Sequence, residues 1–215
     1  TAFNQDLSRW NVSKVSSFSY FFQEAPSFNQ NISNWNVSNA ADLSNMFLGA
    51  INFNQNIGNW DVSNVENMSG MFWGAAAFNQ DLRSWNLSKA TKLFNVFKEA
   101  KAFNQNLGGW NLSNVINMSG ILENSGLSIA NYDSTLIGWN RQGISNQNLG
   151  SVAFLQYCQG AEARKALIAR GWKIEGDVRV CVQGSNQPFI STWNTKFSGQ
   201  SNSTSITIPT IGTGY

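Results

Sequence analysis

The apolar residues of this chain return to the same places every 25 residues. Phe-Asn-Gln begins at Phe3, Phe28, Phe53, Phe78 and Phe103. A Trp stands five residues after each Gln: Trp10, Trp35, Trp60, Trp85 and Trp110. A Ser follows three residues after each Trp. Within one cycle, Trp10 and Val12 fall on one face of a segment from Leu7 to Val12, which predicts a short strand. Val15, Phe18 and Phe22 are spaced as on a helix of about two turns, with Met68, Met71 and Phe72 in the corresponding slots two cycles on.

A unit of one short strand and one short helix cannot bury its own apolar face, whereas stacked units can. The expected fold is therefore an α/β repeat solenoid with a short strand and a short helix per cycle. Parallel pairing of five strands at about 4.8 Å per cycle would give a sheet roughly 20–25 Å wide. Residues 1–126 form this five-repeat array, and its first residues enter directly on a repeat, as in a piece of a longer protein.

The array then decays. Ile121-Leu122 is followed by Glu123-Asn124-Ser125-Gly126, and no sixth Phe-Asn-Gln appears. Leu127–Trp139 reads as a helix with Asn131 or Asp133 near its start, and Glu162–Arg170 as a second helix closed by Gly171. Trp172–Ile174 and Val178–Val182 read as short strands, and Gly150–Tyr157 as strand or irregular chain. Repeat arrays need a terminal unit with a different face, so residues 127–182 are expected to cap this one. Residues 183–215 read as a linker and the start of a truncated β-rich module, with Ser205 to Pro209 alternating as a strand does.

Composition narrows the chemistry. Charged residues make up 12% of the chain, about half the usual share of ~25%. Nine Trp and fifteen Phe supply ample packing material, unlike a disordered chain of similar polarity. The net charge is +2 without a basic cluster, which argues against a nucleic-acid partner. No apolar run is long enough for direct membrane insertion. There are no His and only two Cys, so neither a metal site, a cofactor nor a catalytic residue is expected. Cys158 and Cys181 read as one disulfide in an oxidising, extracellular or cell-surface setting, the alternative being two buried thiols. Such a bridge would contribute roughly 3 kcal/mol.

Within the repeat, Asn4, Asn29, Asn54, Asn79 and Asn104 are placed to bond a neighbouring turn or their equivalents above and below; a ligand-binding row is the alternative. Asp6 and Asp81 coincide with Lys14 and Lys89, while the same two positions are both Asn in the other cycles. That pattern predicts spatial neighbours, or else a duplicated block. The Asn-x-Ser triplets are locked to the repeat and say nothing separate about glycosylation. Positions that change from cycle to cycle, Arg9, Asn34, Asn59, Ser84 and Gly109, are candidates for a variable surface.

The cycle FNQNIGNWDVSNVENMSGMFWGA, Phe53 to Ala75, closely resembles the 25-residue repeat of BspA-like leucine-rich-repeat surface proteins, a repeat also met in mycoplasma lipoproteins of unknown function. The resemblance covers about residues 3–126. LSIANYDSTLIGW and QYCQGAEARKALIARGWKIEGD are similar to the segment closing such arrays in surface proteins of Bacteroidetes. PFISTWNTKFSGQSNSTSITIPTIGTGY resembles the start of an adjoining β-sandwich-like module. The resemblance implies secretion, a cell-surface setting and adhesion, with an extracellular protein, a glycan or further copies of the chain as partner. The alternative is a structural spacer or self-assembling unit of a surface fibre.

Overall fold

The computed structural model describes residues 3–181; the segment expected to begin a β-rich module lies outside the described residues. Residues 3–180 form the first of the two units into which the chain divides.

In the first unit, successive cycles lie on one another. Ser17, Asp42, Asn67, Lys92 and Asn117 form a continuous ladder of parallel bridges at 25-residue steps. The Phe-Asn-Gln phenylalanines stack in the same order, with centroids 5.9 Å apart for Phe3 and Phe28 and 6.0 Å for Phe28 and Phe53. Across the core, Phe28 meets Phe22 at 3.8 Å and Phe53 meets Phe47 at 3.8 Å. Each cycle therefore has two walls facing each other. One, which we call the corner wall, runs from the Phe-Asn-Gln phrase past the Trp. The other, the turn wall, follows the bridge position.

Neither wall has the expected conformation. Among the described residues, no α-helix precedes Ile129 and no strand precedes Asn148. The turn wall replaces the predicted helix. Its N–H groups alternate between a partner three residues back and one in the next cycle. Phe21 N–H bonds Phe18 O at 3.1 Å, while Tyr20 N–H bonds Ser44 O at 3.0 Å and Phe22 N–H bonds Met46 O at 2.8 Å. Left-handed residues recur twice per cycle, at Tyr20, Asn45, Gly70, Asn95 and Gly120, and at Glu24, Gly49, Gly74, Glu99 and Asn124. A helix cannot continue through such residues. The apolar spacing at Val15, Phe18 and Phe22 is real, but chained turns produce it.

The corner wall replaces the predicted strand at Leu7–Val12. Its corners are turns in which an Asn or Asp side chain accepts the N–H two residues on. Asp6 accepts from Ser8 at 2.8 Å and Asn11 from Ser13 at 3.1 Å. The same corners return at Asn31, Asn36, Asn56 and Asp61. This use of short polar side chains explains a chain rich in Asn and Ser and poor in charge.

The stack is closed by two helices and two small parallel sheets. Helix α1, Ile129–Arg141, starts from Ser128, whose side chain accepts the Asn131 N–H, rather than from Asn131 or Asp133. Helix α2 is Ala161–Ala169. Strand β1, Asn148–Ser151, pairs with β3, Lys173–Glu175; β2, Gln156–Tyr157, pairs with β4, Val178–Arg179. One hydrophobic core runs from Leu7 to Ile174. Cys158 and Cys181 are disulfide-bonded.

Two buried polar clusters hold the cap. The Asp133 carboxylate accepts three successive backbone N–H groups, Cys158 at 2.9 Å, Gln159 at 2.8 Å and Gly160 at 2.8 Å, just before α2. Arg164 grips Asp177 through two nitrogens and also reaches the Ile174 carbonyl. The Tyr132 hydroxyl donates to Asp177 at 2.9 Å. Burial first, then the Asp177 charge, pushes the Tyr132 phenol up, so it remains a donor.

Candidate functional site

The Asn of each Phe-Asn-Gln joins its own cycle to the next. Asn4 Oδ1 accepts the Asn29 N–H at 3.0 Å, Asn29 that of Asn54 at 2.9 Å, Asn54 that of Asn79 at 3.0 Å and Asn79 that of Asn104 at 2.9 Å. The Gln that follows adds a second bond to the same oxygen, as from Gln55 to Asn29 at 2.9 Å. The Trp side chains also reach back one cycle. Trp35 Nε1 donates to Leu7 O, Trp60 to Ile32 O, Trp85 to Ile57 O and Trp110 to Leu82 O, at 3.0–3.2 Å. Phe28, Phe53, Phe78 and Phe103 are buried behind them, while Phe3 and Trp10 are partly exposed.

The positions singled out for their variation are mostly consumed by the stack as well. Asn34 Nδ2 donates to Ser8 O at 2.8 Å, Asn59 to Ser33 O at 3.1 Å, and Ser84 Oγ to Gly58 O at 2.7 Å. Variation there exchanges one donor for another. Gly109 ends the series with no atom within 4 Å of where its Cβ would stand. An open groove of about 670 Å³ lies there, lined by Asn106, Gly108, Asn111, Ser134, Gly138 and Arg141. Arg9 is exposed on the first cycle.

Of the two readings of the Asp and Lys coincidence, an ion pair between Asp81 and Lys89 is not formed. Asp81 takes Arg83, two residues away, through two nitrogens, and Lys89 instead donates to Asn64 at 2.7 Å. The Arg83 hydrogen bonds, side chain before backbone, hold the Asp81 carboxyl below its usual value. Asp6 pairs in no ion pair among the described residues; its carboxylate serves the Ser8 corner.

Side-chain variation of a wider chemical range collects on the turn wall. One position of successive cycles there reads Gln23, Leu48, Trp73, Lys98 and Glu123. Lys98 Nζ lies 5.3 Å from the Trp73 ring centroid and 3.0 Å from Glu123. Four residues before Lys98, Phe94 is 42% exposed where other cycles carry Ser. Ile51 is 47% exposed. Beside them, Glu99 bonds Lys101 at 2.7 Å and Asn124 at 2.6 Å, which lowers its pKa. The sequence signal for this patch is Phe94 itself, an aromatic where Ser19, Ser44, Ser69 and Ser119 stand otherwise. This wall offers aromatic, aliphatic and charged groups together, and among the described residues no cluster could hold a metal ion.

No curated protein and no solved structure matches the chain significantly. The family described as "Mycoplasma protein of unknown function, DUF285" matches twice, over residues 1–49 and 31–139, with the two matches overlapping as expected for a repeat. Together they span more than half of the chain, and the chain belongs to that family.

Proposed function

We propose that this chain is a non-catalytic, extracellular repeat module of a bacterial surface protein that binds a protein or a glycan. In this reading the array is a leucine-rich-repeat-like solenoid of the BspA type. One observation carries it: the repeated polar side chains are spent on bonds between cycles, whereas Phe94 stands exposed on the turn wall in place of a Ser, four residues before Lys98, which lies over the Trp73 ring and pairs with Glu123. Exposed aromatics beside mixed charges are the usual material of a recognition patch. The disulfide supports an oxidising, extracellular setting.

The test is a binding screen of the folded chain against extracellular matrix proteins and glycans, repeated with Phe94→Ser and Lys98→Ser. Ser is the residue of the other cycles at position 94, so the fold is expected to tolerate it. Loss of at least about tenfold in affinity, near 1.4 kcal/mol, with unchanged melting supports the reading. Binding that is indifferent to both changes removes the turn wall as the site. The alternative, a spacer or self-assembling unit of a surface fibre, is favoured by the Asn and Gln row, which is uniform from Asn4 to Asn104.

A further inference from the structure

One row of interlocking side chains stops where the array meets its cap. Asn34, Asn59 and Ser84 each send a donor back to a carbonyl of the preceding cycle, Ser8, Ser33 and Gly58. The same step from Gly109 leads to the Arg83 carbonyl, which receives no donor among the described residues. Nothing stands within 4 Å of where a Cβ on Gly109 would be, and its φ lies outside the left-handed region. Neither backbone geometry nor crowding requires a glycine here.

The neighbouring glycines, by contrast, are in contact. A Cβ on Gly138 would overlap the Gly108 carbonyl, and a Cβ on Gly108 would stand 2.7 Å from the Ser134 carbonyl. Helix α1 thus lies with its backbone against the fifth corner, and beside this contact the groove of about 670 Å³ opens, within the ~300–1,000 Å³ usual for small-molecule sites. Its polar groups are mostly unspent donors. Asn106 and Asn111 give only their oxygens to the fold, accepting from Gly108 at 2.8 Å and Ser113 at 3.0 Å. Among the described residues, neither Nδ2 group has a protein partner, and the same holds for the Ser134 hydroxyl and the exposed Arg141 guanidinium. Gln142 is held at both ends, accepting from Leu112 and donating to Trp110, which fixes that side of the groove. Among the described residues no carboxylate lines it. The carbonyl end of α1 would oppose an anion, but the Asn140 carbonyl is taken by the Arg170 guanidinium and by the N–H groups of Gln142 and Gly143.

A ligand matched to this groove carries one negative charge for Arg141 and several neutral oxygens for the two carboxamides and the Ser134 hydroxyl. Sugar hydroxyls supply the oxygens, because each can accept and donate. The C–H face of a pyranose ring suits Ile144, the apolar residue of the lining. We propose that the groove binds an acidic saccharide, with its carboxylate on Arg141 and its hydroxyls on Asn106, Asn111 and Ser134. A simple anion would use Arg141 and leave the carboxamides unpaired; a neutral sugar would do the reverse. The site is separate from the turn wall and does not depend on it.

Calorimetric titration of the folded chain with glucuronate, galacturonate and N-acetylneuraminate tests it, with glucose, acetate and N-acetylglycine as comparisons. At least one acidic sugar is expected to bind about tenfold or more tighter than all three comparisons. Arg141→Gln is expected to erase its advantage over glucose. Gly109→Asn places in the gap the side chain that Asn34 and Asn59 carry, able to donate to the Arg83 carbonyl. It is expected to narrow the groove and weaken binding at least about tenfold, with melting unchanged or raised. Melting curves establish that both variants are folded. No binding of any acidic sugar at roughly 10 mM, or binding indifferent to both changes, overturns the proposal. Acetate binding as tightly as the sugars leaves a simple anion site, and N-acetylglycine doing so leaves a peptide-carboxylate site; either overturns the saccharide. Phe94→Ser reads the turn wall separately, so each idea can fail without the other.

Discussion

The indole N–H of Trp139 donates to the Leu107 carbonyl at 2.9 Å, the same bond that Trp110 makes to Leu82 at 3.0 Å, although Trp139 lies on α1 and Trp110 in a turn. Other bonds of the repeat persist in the cap. Ser128 N–H bonds Asn104 Oδ1, as Asn104 N–H bonds Asn79 Oδ1. Asn131 takes the role of the Gln, and Trp172 Nε1 reaches Ile144 O at 2.8 Å. Gly120 N–H continues the turn wall into Leu149 of β1. The cap is thus built as two further cycles in which helices replace the corner wall. Trp139→Phe is expected to keep most of the buried area, lose the indole bond and lower stability by about 2 kcal/mol. Urea unfolding measures it.

Asp133 secures the entry to α2 by accepting three backbone N–H groups with a buried carboxylate. Asp133→Asn replaces one acceptor oxygen by a donor directed at N–H groups. The expected loss is about 3 kcal/mol, from unmade bonds at a buried site. Hydrogen exchange of the Cys158, Gln159 and Gly160 amides is expected to accelerate before that of the array.

Gly70 has φ +64° and sits against the Asn45 carboxamide, which occupies the space a methyl group would need. Gly120 and Asn95 repeat the relation one pair of cycles later. Gly70→Ala should cost about 1–2 kcal/mol from the left-handed backbone alone, plus the overlap. Combining it with Asn45→Gly should recover the overlap and leave the backbone cost. A double-mutant cycle in denaturant separates the two contributions.

Much of the core was legible in the sequence because the Phe and Trp of the repeat recur in every cycle and, from Phe28 and Trp35 onward, are buried. The walls were not, because an apolar spacing of three and four residues is shared by helices and by chained turns. The distinguishing signal was the recurrence of Asn and Gly at 45, 70, 95 and 120 and of Gly at 49 and 74. Tyr20, Glu24 and Glu99, left-handed without being Gly or Asn, obscured it. The positions from Arg9 to Gly109 carry a structural share that their variation does not show. A side chain can vary and still be structural when Asn and Ser both supply a donor, as Asn59 and Ser84 do.

Acid should weaken the array at its corners. The side-chain and backbone hydrogen bonds from Ser63 hold the Asp61 carboxyl below the ordinary aspartate range. A depressed native pKa stabilises the fold above the unfolded value, and that contribution is lost as pH falls through the native value. Because Asp61 is exposed, the effect is well under about 1 kcal/mol. Asn stands at this position in the other cycles, so Asp61→Asn should melt like the parent at neutral pH and lose less below the ordinary carboxylate range. Thermal melts across acidic pH measure the difference.

The two walls send their hydrogen bonds in opposite directions along the stack. In an α-helix every peptide points one way, and the ends accumulate partial charge as a macrodipole. Here the peptide dipoles of the turn wall oppose the bonds of the corner wall. Adding a cycle therefore adds burial and hydrogen bonds without building up an electrostatic potential between the ends. Length in such an array is limited by what closes it, and very little by the field it generates.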